Sequence, residues 1–210
     1  MPHLIIGLVG TAGSGKSHAA SYMSKRYGGR IFKFSEYLSQ VLDILAIPKS
    51  RDNLIKLSVA LRKEFGENAL AYAVARGVLS TEPVLSEVEG LETGMTGGAT
   101  LAIVDGIRRV DDVAPLEPLP NFVLVAIDAD PKLRFDRMKR RGEKAGESLL
   151  TWEQFMMEER APTEVTIPEV IKRAKVRIAN EGTVAELEAK IDDLMKHFDI
   201  KKNLSFRGTE

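Results

Sequence analysis

Residues 10–17 read Gly10-Thr11-Ala12-Gly13-Ser14-Gly15-Lys16-Ser17: a glycine, four residues, then Gly-Lys-Ser. The stretch follows an apolar run of strand length, Leu4 to Val9, and precedes a helical pattern from Ser17 to Tyr27. That is the context in which this spacing builds a phosphate-cradling loop. Its glycines let successive backbone N–H groups turn toward phosphate oxygens, and the following helix N-terminus adds about half a positive charge. Gly10, Thr11, Ala12, Gly13, Ser14 and Gly15 are the expected phosphate-lining positions, with His18 beside them at the helix start. Lys16 is expected to reach the β- and γ-phosphates and the Ser17 hydroxyl to ligate a magnesium ion. The implied cofactors are ATP and Mg²⁺.

Outward from this loop, Leu101 to Val104 ending at Asp105, and Phe122 to Ile127 ending at Asp128, are further continuous apolar runs. Shorter candidates lie at Arg30 to Phe34 and Val176 to Ala179. Continuous apolar runs fit strands covered on both faces. Helical patterns fall between them: Glu36 to Leu45, Asp52 to Phe65 with Leu54, Leu57, Leu61 and Phe65 on one face, and Val184 to Phe198. Asp130-Pro131 reads as an N-cap with a first-turn proline, and Gly142 closes that helix. Thr151 with Gln154 reads as a capping box that starts another helix. Strands alternating with helices predict an α/β fold of three layers, a central parallel sheet of about five strands flanked by helices. Ser80 to Ala99 carries four Glu, no basic residue and four glycines without periodicity. It is expected to be a flexible surface insertion within a single domain spanning 1–210, which closes on a tail at 200–210.

Composition narrows the function. The 30 basic and 30 acidic side chains cancel, which argues against nucleic acid as partner, since that affinity rests on a basic surface. The absence of cysteine removes thiolate zinc sites, iron–sulfur clusters, disulfides and cysteine nucleophiles, and fits a reducing cytoplasm. The N-terminal Met-Pro-His and its short apolar run lack a basic n-region and are too short for a membrane span, so no membrane partner is expected. His3, His18 and His197 are scattered and make no metal set. The neutrality is uneven, however: Asp130 to Lys144 holds seven Lys/Arg against three acids.

A phosphate loop needs a carboxylate at a neighbouring strand end, and Asp105 is the candidate, acting on Mg²⁺ through a water or as a base toward the acceptor. Asp105-Gly106-Ile107-Arg108-Arg109 then places two guanidinium groups where a planar fork can hold a second phosphate. That favours phosphoryl transfer over hydrolysis. On the helix from Pro131 to Arg141, Arg134, Arg137 and Arg141 share one face, with Leu133 and Met138 on another side able to anchor it. Their concentrated charge reads as a lid over triphosphate. Trp152, next to the capping Thr151, is read as a packing residue under that lid.

These residues resemble the P-loop nucleotide kinases, the superfamily of adenylate kinase and dephospho-CoA kinase, over nearly the whole chain from Leu4 to about Phe198. The resemblance implies the P-loop NTPase fold with helical acceptor-binding (35–79) and lid (131–165) segments. It also implies Arg137 over the adenine, Arg141 on transferring phosphate, and Arg108 or Arg109 on the acceptor phosphate. Phe34 to Leu38 and Leu61 to Gly66 resemble the acceptor region of (deoxy)nucleoside monophosphate kinases, making Ser35 and Arg62 acceptor contacts; Ser35 is equally an N-cap and Arg62 equally a surface charge. Ile178 to Thr183 resembles the adenine-lining loop, making Asn180 and Gly182 base neighbours. The implied activity is transfer from ATP to a small-molecule nucleotide acceptor by a monomer or homodimer. Dephospho-CoA kinase and a nucleotide-binding regulatory ATPase stay open as alternatives, the former weakened because Phe34-Ser35-Glu36 stands where its Asp-x-Asp is expected.

Overall fold

The computed structural model describes residues 2–80, 101–141, 150–161 and 164–203, the side chain of Arg141 excepted. The expected insertion beyond residue 80, the glycine-ended loop at 142–149 and the tail from 204 lie outside the described residues.

Five strands form one parallel sheet: β1 (Leu4–Val9), β2 (Arg30–Lys33), β3 (Leu101–Ile107), β4 (Phe122–Asp128) and β5 (Val176–Ala179), in the order β2-β3-β1-β4-β5. All six residues of β1 are buried, as an apolar run without alternation requires of a central strand. Around it run α1 (Lys16–Tyr27), α2 (Phe34–Ile44), α3 (Arg51–Phe65), α4 (Ala69–Leu79), α5 (Val110–Val113), α6 (Pro131–Arg141), α7 (Trp152–Glu159), α8 (Ile167–Arg173) and α9 (Val184–His197). One face of the sheet is covered by Ala19, Ala20 and Met23 of α1 with Leu187, Ile191 and Met195 of α9. The other is covered by Phe34 and Leu38 of α2, Leu70 and Val74 of α4, and Ile167 and Val170 of α8. Three layers result, as expected.

A third, smaller cluster holds Phe135 and Met138 of α6, Leu150 and Phe155, with Ala12 of the phosphate loop and Trp152 packed against it. Trp152 meets Phe135 edge-on at 5.5 Å and stacks on Phe155 at 5.4 Å. It is a packing residue, and the capping box of Thr151 and Gln154 that starts its helix is present.

Two local expectations need correction. Strand β3 does not end at Asp105 but runs to Ile107 across an irregularity: Leu8 pairs with Asp105, then Val9 with Ile107. Gly106 sits at the skipped position with φ +100°, a left-handed conformation that glycine tolerates, and such a bulge re-aims the strand end. Ser35 is not an N-cap, because α2 begins at Phe34 behind Lys33. Within the expected tail, Asn203 N donates to Arg26 O at 2.8 Å and Lys202 pairs with Asp192 at 2.5 Å.

Candidate active site

The sheet order reverses direction around β1, and ligand clefts in such sheets open outside the carboxyl ends of the strands at that point. The β1–α1 loop of residues 10–15 lies there, with Gly13 at φ +75° and Gly15 at φ +101°. A Cβ at Gly13 would stand 2.8 Å from Arg134 O, and one at Gly15 would stand 2.4 Å from Asn180 Nδ2. Glycine is therefore required both by conformation and by the close approach of α6 and the β5–α9 loop.

Within this loop Lys16 Nζ donates to Thr11 O at 2.7 Å and to Ser14 Oγ at 3.5 Å. Burial pushes its pKa down to about 8, further lowered by Arg108 and Arg134 and opposed by Asp105 and Glu164. Those four groups therefore stand close enough to be felt at the ammonium. Thr11 Oγ1 is buried with no hydrogen-bond partner among the described residues. A desolvated ammonium, an orphaned hydroxyl and a helix N-terminus within one eight-residue stretch fit a phosphate group. For a metal, Ser17 is exposed at the start of α1 and Asp105 is half-buried on β3. The described residues contain no group of three or more His, Cys, Asp or Glu side chains able to hold a metal ion. One hydroxyl and one carboxylate suit Mg²⁺, which keeps several waters and draws its other oxygens from phosphate.

From the β5–α9 loop, buried Asn180 (5 % exposed) donates through Nδ2 to Ser14 O at 2.9 Å. Arg137 spans the same loop, Nη1 to Asn180 O at 2.8 Å and Nη2 to Gly182 O at 2.9 Å. Arg137, Asn180 and Gly182 are thus brought together against the phosphate loop. His18 is drawn elsewhere, its imidazole pairing with Glu188 of α9 at 2.8 Å, so position 18 offers the loop only its backbone.

Arg134 departs from the expected lid face. It is 3 % exposed and makes a bidentate pair with Glu159 of α7 at 2.8 and 2.7 Å. It also donates to Ala129 O at 3.0 Å and to Ala12 O at 3.2 Å, and lies over the Phe155 ring. Its guanidinium is a buried brace between α7 and the phosphate loop. The side chain of Arg141 lies outside the described residues.

Past the end of β3, the Arg62 guanidinium and the backbone amides of Arg108 and Arg109 converge on Asp112 of α5, which is 2 % exposed. Asp112 accepts from Arg108 N and Arg109 N, both at 3.0 Å, and from Arg62 Nη2 at 3.4 Å. Arg62 Nη1 also donates to Ser58 Oγ, and Arg62 Nε is buried without a partner among the described residues. Arg109 Nη1 pairs with Glu67 at 3.0 Å, and Arg108 Nη1 pairs with Glu164. Ser35 lies exposed in the first turn of α2, just past Lys33, the register partner of Asp105. No described hydrogen bond joins it to the three arginines.

Asp112, Glu159 and Glu164 were not legible as site residues. Asp112 had a usable signal, a carboxylate three residues after Arg109, where it caps the short helix that follows. The two glutamates meet arginines 25 and 56 residues away in the chain, and no spacing rule reaches that far.

No family model matches the sequence. The chain is similar to a UPF0200 protein of Hyperthermus butylicus, 29% identical over 192 residues, covering 91% of this chain and 93% of that one. Among solved structures it is similar to a Thermus thermophilus protein at 21% identity and TM-score 0.58, covering 94% of this chain and 98% of the other. It is also similar to the shikimate kinase of Bacteroides thetaiotaomicron, at 13% identity and TM-score 0.54 over 93% and 98% of the two chains. With the phosphate loop, the sheet order and these likenesses together, the chain has the P-loop kinase fold.

Proposed function

We propose that the protein is an ATP-dependent kinase that transfers the γ-phosphoryl group to a nucleotide acceptor, with nucleoside monophosphates the favoured class. The observation that carries this reading is that Asp105 and Arg108 both act on the Lys16 ammonium, while the buried Asp112 takes the Arg62 guanidinium together with the backbone amides of Arg108 and Arg109. A hydrolase has no use for a second set of phosphate-binding forks past the metal-side acid.

In this reading the loop amides and Lys16 bind the donor phosphates, and Arg137 with the 180–182 loop holds the base. The arginines gathered on Asp112 orient the acceptor phosphate. Ser17 and Asp105 would hold Mg²⁺, which when bound would supply charge neutralisation at the phosphates. The protein's work is positioning and electrostatic stabilisation, which suffices for phosphoryl transfer.

A second reading is a hydroxyl acceptor of lower charge. One observation favours it: Arg62, Arg108 and Arg109 each already face a carboxylate. Incubation with ATP–Mg²⁺ and a panel of nucleoside monophosphates, dephospho-CoA and polyhydroxy acids separates the two. Product phosphorylated on a monophosphate, lost in Lys16→Ala, is the expected result. Transfer that survives Lys16→Ala would overturn the assignment, and transfer to a hydroxyl alone would shift it to the second reading.

A further inference from the structure

The phosphate loop is gripped by its carbonyls. Thr11 O accepts from Lys16 Nζ at 2.7 Å and from Ser14 N at 3.3 Å. Ala12 O accepts from Arg134 Nη1 at 3.2 Å, and Ser14 O accepts from Asn180 Nδ2 at 2.9 Å. A trans peptide points its C=O and the following N–H in opposite directions. Drawing the Ala12 carbonyl to Arg134 and the Ser14 carbonyl to Asn180 therefore turns the Gly13 and Gly15 amides the other way. Neither amide donates to a backbone acceptor among the described residues, which leaves both for a phosphate oxygen.

Lys16 belongs to the loop's own motif and Asn180 to the adjoining β5–α9 loop, but the grip on Ala12 comes from further off. Arg134 is buried in α6 with every guanidinium nitrogen engaged: Nε on Ala129 O at 3.0 Å, Nη1 on Ala12 O and on Glu159 Oε1 at 2.8 Å, and Nη2 on Glu159 Oε2 at 2.7 Å. The Glu159 carboxylate fixes the plane of the fork, and the Phe155 ring lies 5.3 Å from its carbon. Both come from α7, so that helix decides where the fork points. The α6 backbone closes the same spot, with Arg134 O 2.8 Å from the place of a Cβ on Gly13.

Resting on the phosphate-loop part of the kinase reading, we propose that Arg134 is a positioning residue for the donor phosphates. Locked by Glu159, it holds the Ala12–Gly13 peptide with its N–H turned toward the phosphate, and it thereby ties nucleotide affinity to the seating of α7. The guanidinium itself touches no substrate. A lysine is no substitute, because a single ammonium lacks the planar fork that spans a carboxylate and two carbonyls at once. Preorganised amides bind without first being ordered, which is where the gain in affinity arises.

The test is the binding of ATP, and of tripolyphosphate as a probe without base or ribose, to the full chain by titration calorimetry, with the amide resonances of isotope-labelled protein followed alongside. The variant is Arg134→Met combined with Glu159→Ala, which removes the fork without leaving a buried unpaired charge; its urea midpoint establishes that it is folded. Both dissociation constants are expected to rise about tenfold, the scale of one lost orienting hydrogen bond. An amide that donates to a phosphate oxygen moves downfield, and in the wild type Gly13 and Gly15 are both expected to move. In the variant the Gly13 shift shrinks while the Gly15 shift, held through Asn180, stays, a signature that general loosening does not give. Arg134→Lys gives the same pair of changes with the charge retained, and it serves if the double variant does not fold. Unchanged dissociation constants, an undiminished Gly13 shift, or equal losses at Gly13 and Gly15 overturn the proposal and leave the kinase reading standing. A wild type that binds neither ATP nor tripolyphosphate overturns both.

Discussion

Replacing Lys16 by methionine separates what the phosphate loop costs the fold from what it supplies to chemistry. The side chains are similar in length, but methionine carries no charge to desolvate. In the protein without nucleotide, burial holds the Lys16 pKa at about 8 against the ordinary 10.5. At 1.36 kcal/mol per pH unit, that drop corresponds to about 3 kcal/mol of native-state cost for keeping the ammonium charged. The variant loses the hydrogen bond to Thr11 O, about 1 kcal/mol. A net gain of about 1–2 kcal/mol is expected at pH 7, read by urea denaturation. The sign follows from proton binding: between pH 8 and 10.5 the unfolded chain holds more protons on Lys16 than the native one, so wild-type stability rises across that window. The advantage of Lys16→Met is therefore full below pH 8 and fades by about pH 10.5. A variant less stable than wild type at pH 7, or an advantage independent of pH, would refute the reasoning.

Two further outcomes test other parts of the site. Glu159→Ala leaves the Arg134 guanidinium buried without its bidentate partner; a loss of about 3–5 kcal/mol is expected in urea denaturation, most of it recovered when Arg134→Met is added. Asp112→Asn removes the charge on which Arg62 and the Arg108 and Arg109 amides converge; the acceptor KM is expected to rise about tenfold, with the KM for ATP within about twofold, in steady-state kinetics.

The sheet was legible because a parallel strand covered on both faces has no choice but to be continuously apolar, so Leu4–Val9 and Phe122–Asp128 announced themselves. The phosphate loop was legible because its glycines are demanded by backbone conformation and close approach, which are local. The bulge at Gly106 was not, since the apolar run breaks at Asp105 while the ladder continues past it. Helix α8 was missed because Ile167–Arg173 is too short to show a period, and α4 was read only as part of a helical 35–79 segment because Ala69–Leu79, packed between the sheet and helices α2 and α3, is apolar on most sides. Spacing placed Arg134, Arg137 and Arg141 on one face but could not say what lay opposite. Glu159 decided that Arg134 is a brace, and Asn180 and Gly182 decided that Arg137 faces the donor loop.

The pairing pattern shows how a chain of zero formal charge arranges its arginines around the phosphate loop and the end of β3. Arg62, Arg108, Arg109 and Arg134 each meet a carboxylate from a different element: Asp112, Glu164, Glu67 and Glu159. Their exposure differs, and with it their consequence. The Arg134–Glu159 pair is buried and donates into the loop backbone at Ala12, so disrupting it would leave an uncompensated buried charge, and it holds the donor side rigid. The Arg109–Glu67 pair is partly exposed, the two side chains at 30% and 56%, and solvent-accessible pairs contribute about 0–1 kcal/mol. Under the proposed kinase reading, a phosphate arriving at Arg109 would therefore displace Glu67 at little cost and take over a guanidinium whose backbone Asp112 already fixes. On that reading the phosphate-loop side would be built in advance, while the arginines past β3 would stay oriented and neutralised until an anion exchanged for the glutamate.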